Sequence, residues 1–308
     1  MRVRTLRSVS MVAAAALVTG LGALAGCGSQ QASGGNQQAS RGAGGDAQTL
    51  SHRARKVAAA WDGSAASADW RVGYHPIGDV VQLPSGGLRT EADEQAYRDR
   101  NFVLRGKLPV TWPKNGKVTW ATGGSLTRPL VGADDSYRSH ADGHLEGEPY
   151  LTVSGAKLGS MRVATNRGPA TVPAWLFTLE GYDSPLRQAA VIASKLPRPP
   201  IKRALNVPGL PLRGLVRISV DGRSVTVTAL HGSCDEGPIV TALETPSAVV
   251  LSPSVKNRDK SGLCTKQATT RSVTVKLDRP VGDRVLLDAL TGKPVPYKPL
   301  YRASPSWS

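Results

Sequence analysis

The side chains best suited to chemistry lie between Asp134 and Glu148. This stretch holds five carboxylates and two histidines. His140 and His144 are four residues apart, a spacing that would place both imidazoles on one helix face, where they could bind a metal ion. The glycines within the stretch and the proline after it disfavour such a helix, and the spacing does not match a calcium-binding loop. We therefore expect a solvated polar loop here. A metal site at His140, Asp142 and His144 is the alternative.

Two further motifs could carry a nucleophile, but neither is complete. Ser154 and Lys157 form a Ser-x-x-Lys pair, which opens a helix in penicillin-recognising enzymes, whereas here a predicted strand at 150–153 precedes it. The companion Lys-Thr-Gly element is found only reversed, at 291–293. The stretch 231–236 combines His, Ser, Cys, Asp and Glu but lacks a Gly-x-Ser-x-Gly elbow. The chain also has no phosphate loop or dinucleotide fingerprint, so we expect no catalytic residues and no cofactor.

The N-terminus has the pattern of a secretion signal. Arg2, Arg4 and Arg7 precede an apolar run at 11–25, which suits a signal peptide and is short for a bilayer span. The run ends in Leu24-Ala25-Gly26-Cys27, which matches the bacterial lipobox residue for residue. The pattern predicts cleavage before Cys27 and a diacylglyceryl thioether on its sulfur, with acyl chains such as palmitate. Because no two of these arginines are adjacent, the Sec route is favoured over the twin-arginine route. The expected location is the outer face of a bacterial cytoplasmic membrane.

The other two cysteines, Cys234 and Cys264, are expected to pair. In an exported protein with no odd cysteine left over, two cysteines predict one disulfide. It would close a loop of about 30 residues. A metal site is the alternative, but no second cysteine lies at ligand spacing from either one.

The charge balance bears on partners. The chain has 39 basic and 23 acidic residues, a net charge of +16. Without residues 1–26, which hold three arginines, 36 basic residues remain and the net charge is +13. A basic exported protein is attracted to anionic lipid headgroups and to anionic cell-wall polymers. The signal argues against a nucleic-acid partner. The alternative is that the charge only solvates the surface.

The mature chain divides into four predicted segments. Residues 27–47 form a lipidated, flexible tether of small polar residues. Residues 48–194 form an α+β domain, residues 195–212 a proline-rich basic linker, and residues 213–308 a domain resembling an antiparallel β-sandwich. We therefore predict a mainly β protein with a few short helices near its N-terminus.

Local patterns support this division. Helices are predicted at 48–62, where Val57 and Trp61 share a face, and after Thr90, which opens a capping box. Residues 64–88 are expected to form turns. In the C-terminal part, alternating valines flank Asp221-Gly222, which predicts a hairpin that pairs Ile218 with Val225 and Val216 with Val227. The other predicted strands lie at 117–121, 150–154, 159–165, 171–180, 187–193, 238–243, 248–251, 271–277, 284–288 and 293–297.

Together with the lipobox, Val172-Pro173-Ala174-Trp175 and the stretch 277–284 resemble actinobacterial envelope lipoproteins of a family without an assigned activity. The resemblance implies a membrane anchor and an extracytoplasmic body, and it transfers no functional residue. Our leading hypothesis is a non-enzymatic module that binds or scaffolds a component of the cell envelope. The alternative is an envelope hydrolase or metal-dependent enzyme that uses residues 134–148. Adhesion to anionic wall polymer by charge is a third possibility.

Overall fold

The computed structural model describes residues 38–141, 147–256 and 267–298, with side chains from Asp46 onward. Strands dominate, which confirms the predicted mainly β fold with a few helices. The helices are α1 (Gln38–Trp61), α2 (Ala65–Val72), α3 (Glu91–Arg98) and α4 (Ala133–Arg138). The first strands are β1 (Val81–Gln82), β2 (Phe102–Lys107), β3 (Asn115–Trp120), β4 (Ser125–Pro129), β5 (Leu151–Thr165), β6 (Gly168–Leu179) and β7 (Leu186–Ala189). The later strands are β8 (Gly214–Ile218), β9 (Ser224–Gly232), β10 (Gly237–Glu244), β11 (Ala248–Lys256), β12 (Ala268–Lys276) and β13 (Val285–Asp288). Within the described residues, no helix is both long and apolar enough to span a bilayer.

Strands β1 to β7 form one sheet around the long hairpin of β5 and β6. The order is β1-β7-β6-β3-β4, and β6 also pairs with β5, which pairs in parallel with β2. The hairpin turns at residues 165–168, with Gly168 at a φ of 89°. A bulge between Val153 and Gly155 lets the two strands predicted between residues 150 and 165 continue as one.

The two halves of this hairpin bury opposite faces. Met161 and Val163 on β5 face Val172 and Ala170 on β6, and all four side chains are buried. Up to Ala174 the buried side chains of β6 are those of even-numbered residues. Beyond Ala174 they are those of odd-numbered residues, namely Trp175, Phe177 and Leu179. Successive side chains of a strand point to opposite faces. The first half of the hairpin therefore leaves its other face to solvent.

Two three-stranded sheets build the second half of the chain. One has the order β12-β9-β8 and is antiparallel, and the other has the order β10-β11-β13, with β11 and β13 parallel. Val225 and Val227 on β9 share a core with Val249 and Leu251 on β11, so the two three-stranded sheets pack on each other. This face-to-face packing is the predicted sandwich-like arrangement.

The hairpin of β8 and β9 follows the predicted register in part. Ile218 faces Val225, as predicted. The predicted pairing of Val216 with Val227 is wrong, because a bulge brings Leu215 opposite Val227.

The turn of this hairpin is longer than the predicted two-residue loop at 221–222. The backbone amide of Ser219 donates to the carbonyl of Ser224 at 3.0 Å, which closes a turn that includes residue 220. Val220 therefore lies fully exposed at the tip instead of on the apolar face.

Helix α1 packs against strands from the other end of the chain. It begins at Gln38, so the last ten residues of the predicted tether, 38–47, are helical. Val57 and Trp61, which share a face as predicted, lie in one core with Val250 of β11 and Leu287 of β13. The sequence groups this helix with residues 48–194, but its apolar face is covered by the C-terminal part of the chain.

Helix α2 lies where turns were predicted. Ser64 caps it, since the Ser64 hydroxyl accepts a hydrogen bond from the backbone amide of Ser67 at 3.1 Å. Trp70, near its end, is buried and stacks on His75 with ring centroids 4.5 Å apart. Burial lowers the pKa of His75 to about 4, and the positive charge of Arg128 acts in the same direction.

The segment 195–212 has no helix or strand, yet it packs on the protein. Leu196 and Ile201 contact the core that α1 shares with β11 and β13. The two halves of the chain are also joined by Tyr297, whose hydroxyl donates to Asp79 Oδ1 at 2.8 Å. The predicted linker is therefore a surface segment held by Leu196 and Ile201 and, at its end, by the buried Leu212.

The turn before β13 is built on a buried ion pair. Arg284 Nη1 lies 2.8 Å from Glu244 Oε2, and their side chains are only 5% and 14% exposed. Arg284 also donates to the carbonyls of Arg279 at 2.7 Å and Pro280 at 2.8 Å. Burial acts to raise the pKa of Glu244, but hydrogen bonds from Arg284 and from the amides of Asp278 and Arg279 outweigh it and lower the pKa.

Candidate anion-binding surface

His140, the first candidate metal ligand, follows α4 and packs among aromatic rings. Its ring centroid lies 5.6 Å from that of Phe102 and 6.2 Å from that of Phe177. Burial lowers the pKa of His140 to about 4; the side chain of Gln188 acts in the opposite direction, and the positive charge of Arg100 adds a smaller lowering. The expectation of a solvated loop is therefore wrong at His140, whose imidazole belongs to the packing of the first sheet.

The other two candidate metal ligands, Asp142 and His144, lie outside the described residues. Across residues 38–141, 147–256 and 267–298, no three His, Cys, Asp or Glu side chains are grouped so as to hold a metal ion. A metal site at His140, Asp142 and His144 stays a prediction.

Ser154 and Lys157 both lie on β5, which is extended. The Ser154 hydroxyl donates to the carbonyl of Thr178 at 3.5 Å. In penicillin-recognising enzymes the Ser-x-x-Lys motif opens a helix, which brings the lysine one turn above the serine. The strand does not bring the two side chains together in that way.

The His231 region forms the end of β9 and the turn after it. His231 Nδ1 lies 2.9 Å from the carbonyl oxygen of Gly232, and Asp235 Oδ2 accepts from the amide of Gly232 at 2.8 Å. In a Ser-His-Asp triad the carboxylate binds the imidazole and the imidazole binds the serine. Here the imidazole and the carboxylate each bond the backbone of the same glycine.

Two of the three cysteines lie outside the described residues. These are Cys27 and Cys264, while Cys234 lies in the turn between β9 and β10. Lipid attachment at Cys27 and pairing of Cys234 with Cys264 stay predictions.

In the exposed half of the first sheet, one row of polar side chains crosses four strands, and a second row is polar on three of them, with Pro173 on β6. In one row, Arg162 on β5 faces Thr171 on β6. Thr171 in turn faces Thr119 on β3, which faces Ser125 on β4. Directly paired residues of antiparallel strands share a face, and with strands about 4.8 Å apart this row is about 14 Å long. Together with the second row, two residues along, it forms what we call the hydroxyl face: Lys117, Thr119, Ser125, Thr127, Ser160, Arg162 and Thr171, all exposed.

The core beneath keeps these side chains turned outward. Val118 and Trp120 alternate with the exposed residues of β3 and are buried. The Trp120 indole donates to Thr165 Oγ1 at 2.9 Å, and the guanidinium of Arg167 lies 3.7 Å from the centre of its ring. A fixed Trp120 holds β3 in register with the hairpin, so the rows of the hydroxyl face are fixed as well.

The strands of this region carry positive charge alone. Between residues 102 and 133, and again between 149 and 179, the chain has eight Lys or Arg residues and no Asp or Glu. These ranges contain β2 to β6 entirely. Strand geometry places the Cα atoms of Lys117 and Arg162 about 12 Å apart. Cations and hydroxyls both donate hydrogen bonds, so the face suits an extended anionic partner.

The opposite face of the sheet differs in composition. Lys157 on β5 faces Leu176 on β6, which faces Arg187 on β7. Further along the same side, Arg105 pairs with Glu180 at 3.8 Å. This face mixes cations with an apolar side chain and a carboxylate, so it provides a matched comparison for the hydroxyl face.

Sequence reasoning missed the hydroxyl face because its members come from four strands. The local signal was present, since Lys117 and Thr119 alternate with buried residues, as do Ser160 and Arg162. A scan for long stretches without carboxylates would have drawn attention to β2 to β6. The rows themselves depend on strand register, which the residues of one strand do not specify.

Comparison of the chain with models of known families, with curated proteins and with solved structures finds no match. What the protein binds must therefore be inferred from the chemistry of its surfaces.

Proposed function

We propose that the protein is a lipid-anchored module on the outer face of a bacterial cytoplasmic membrane that binds anionic cell-wall polymers. The observation that carries this proposal is the hydroxyl face, where Lys117 and Arg162 lie among five hydroxyls on strands without carboxylates. Phosphate or carboxylate oxygens would accept hydrogen bonds from both kinds of group. An extended polymer could lie along the rows and meet several donors at once.

The anchor is proposed from the N-terminal sequence. The apolar run at 11–25 and the lipobox ending at Cys27 favour export and acylation. Two acyl chains bury enough methylene groups for stable attachment, at ~0.8 kcal/mol for each group. Mass spectrometry of the N-terminal peptide tests this part, because an unmodified Cys27 or a retained leader would contradict it.

Single contacts on an exposed face are weak, so the binding should depend on repetition. An exposed charge contact contributes about 0.5 kcal/mol, because water screens it. A polymer with many charges can engage several protein copies on one membrane and gain avidity. Binding should also weaken with added salt, since exposed charges are screened over about 10 Å at 0.1 M.

The test is binding of the chain from residue 27, with Cys27→Ser, to an immobilised poly(glycerol phosphate). The double variant K117Q/R162Q removes both cations of the hydroxyl face. Its affinity should fall about fivefold, since two contacts of about 0.5 kcal/mol each are lost.

The matched control is K157Q/R187Q, which removes two cations from the opposite face of the same sheet. It should bind the polymer like the parent protein. Equal losses in the two double variants would show that net charge alone drives binding, and would overturn the assignment to the hydroxyl face. Polyglutamate in place of poly(glycerol phosphate) distinguishes carboxylate from phosphate recognition.

A further inference from the structure

A second cationic surface lies on the segment that follows the first sheet. From Ser184 to Val220 the chain has seven Lys or Arg residues and no Asp or Glu. Within it, Leu205 is 81% exposed and follows the exposed Lys202 and Arg203. This arrangement places an apolar side chain in water directly beside two cations.

The backbone around Leu205 is fixed to the rest of the protein. Ile201 packs into the core that contains α1. The amide of Ala204 donates to the carbonyl of Leu290 at 2.7 Å. Asn206 has a φ of 59°, a left-handed conformation that turns the chain directly after Leu205. The leucine is therefore displayed by a constrained loop.

The same loop is attached to α1. Arg53 of α1 donates to the carbonyls of Lys202 at 2.6 Å and Ala289 at 2.8 Å. The Trp61 indole donates to the carbonyl of Gly292 at 2.8 Å. Helix α1, the turn at 289–293 and the Leu205 loop thus form one connected unit.

Cations lie beside the Leu205 loop, whereas the exposed carboxylates of the unit are Asp46 on α1 and Asp62 directly after it, which accepts a hydrogen bond from Ser247. Lys56 follows Arg53 by three residues on an adjacent part of the helix surface, and Lys293 follows Gly292; both lysines are exposed. Asp288, whose charge acts on Arg53, is 3% exposed and accepts hydrogen bonds from three backbone amides. The part of the unit formed by the Leu205 loop is therefore positive around an apolar side chain.

We propose that this surface rests on anionic phospholipid headgroups, with Leu205 inserted among them. We call it the Leu205 surface, and it comprises Lys56, Lys202, Arg203, Leu205 and Lys293. The cations would pair with the negative charge of the headgroups, and the leucine would reach into the apolar boundary just beneath them. The proposal shares the membrane location of the proposed function but not polymer binding by the hydroxyl face.

The length of chain before α1 is compatible with this contact. Eleven peptide steps separate Cys27 from Gln38. A fully extended chain of that length spans about 40 Å. An anchor at Cys27 would therefore keep α1, and the Leu205 surface joined to it, within reach of the bilayer. Acylation would supply one membrane signal and this surface a second.

The experiment measures sedimentation of the chain from residue 27, with Cys27→Ser, together with lipid vesicles. Without acyl chains, any binding must come from the folded body. Vesicles of phosphatidylcholine alone are compared with vesicles that also contain phosphatidylglycerol. The protein should bind the anionic vesicles, and binding should fall as salt is added.

Two variants dissect the surface. K202Q/R203Q should weaken binding about 30-fold, since each cation near an anionic membrane contributes about fivefold. L205S should weaken binding about tenfold and leave its salt dependence unchanged, because it removes apolar contact without removing charge. All three residues are exposed, so both variants should keep the fold.

The control is K157Q/R187Q, which removes the same number of charges from outside both proposed surfaces and should bind vesicles like the parent. Parental binding by K202Q/R203Q, equal losses in the two double variants, or equal binding to neutral vesicles would overturn the proposal. Failure of polymer binding with intact vesicle binding would instead count against the proposed function alone.

Discussion

Replacement of Arg284 by Met should destabilise the protein strongly, although Arg284 belongs to neither proposed binding surface. The substitution keeps most of the side-chain volume and removes the positive charge. It leaves Glu244, which is 14% exposed, without its ion-pair partner at 2.8 Å. It also removes the donor to the carbonyls of Arg279 and Pro280.

The magnitude follows from what remains around the carboxylate. Removal of one partner from a buried ion pair costs about 3–5 kcal/mol. Glu244 keeps hydrogen bonds from the amides of Asp278 at 2.6 Å and Arg279 at 3.3 Å, and it keeps slight access to water. These remaining contacts place the expected cost of R284M near the lower end, at about 3 kcal/mol.

Urea unfolding followed by tryptophan fluorescence measures this cost. R284M should lower the midpoint without changing the slope, since the surface exposed on unfolding stays the same. E244Q should cost about 1–2 kcal/mol, because the arginine keeps its carbonyl acceptors. The double variant R284M/E244Q should cost less than the sum of the two, since no buried charge is left unpaired.

The pH dependence provides a second check. In the parent protein Arg284 helps to hold the pKa of Glu244 below its ordinary value. Without Arg284, burial should raise that pKa, so the carboxylate can become neutral as the pH falls. The deficit of R284M should therefore be largest near pH 7 and smaller near pH 4. A cost below about 1 kcal/mol at pH 7, with additive single variants, would refute the reasoning.

Three further outcomes are expected. The pKa values of His75 and His140 are about 4, below the ordinary 6.5, so the unfolded chain binds more protons than the folded one between these values. Stability should therefore fall as the pH drops through this window, by up to about 3 kcal/mol per histidine, and unfolding curves should show a smaller loss in H140F. Trp61→Phe should cost about 1 kcal/mol through the lost indole hydrogen bond, and Trp61→Ala about 3–5 kcal/mol, both measured by urea unfolding. Peptide mapping without reduction should recover Cys234 linked to Cys264, and Cys264→Ser should lower the free energy of unfolding by about 3 kcal/mol; separate unlinked peptides would contradict the pairing.

Local sequence signals were sufficient for most strands and for the caps of some helices. Val118 and Trp120 alternate with polar residues, and β3 forms there. Thr90 caps α3, with its hydroxyl accepting from the amide of Asp93 at 3.0 Å. Such patterns extend over a few residues, so the local sequence is enough to predict where each of these elements begins or which face it buries.

Other features depend on partners that are distant in sequence. Helix α2 has only eight residues and is stabilised chiefly by the burial of Ala66, Ser67 and Trp70 against the rest of the protein. The bulge that shifts Leu215 opposite Val227 replaces a register that looked equally apolar. His140 was expected in solvent because its neighbours in sequence are polar, whereas its partner rings belong to β2 and β6. In each case the deciding contact comes from another element.

The hydroxyl face and the Leu205 surface illustrate the same limit at the level of function. Their members are ordinary lysines, arginines, threonines and a leucine, with no motif spacing. What distinguishes them is the joint exposure of the members of each surface and the absence of carboxylates from strands β2 to β6 and from residues 184–220. The charge excess pointed to an anionic partner, but only strand pairing and burial indicate where that partner would lie.

The packing of α1 on β11 and β13 also affects the timing of folding. A chain that emerges from a translocation channel N-terminus first would deliver Val57 and Trp61 about 190 residues ahead of the strands that cover them. During the proposed export, the apolar side of this helix would stay uncovered until β13 has crossed, and the bilayer or a holding chaperone would have to shield it. The arrival of β13 would thus complete the core around α1 and displace whatever had shielded the helix. Chains that end before residue 285 should be rapidly degraded.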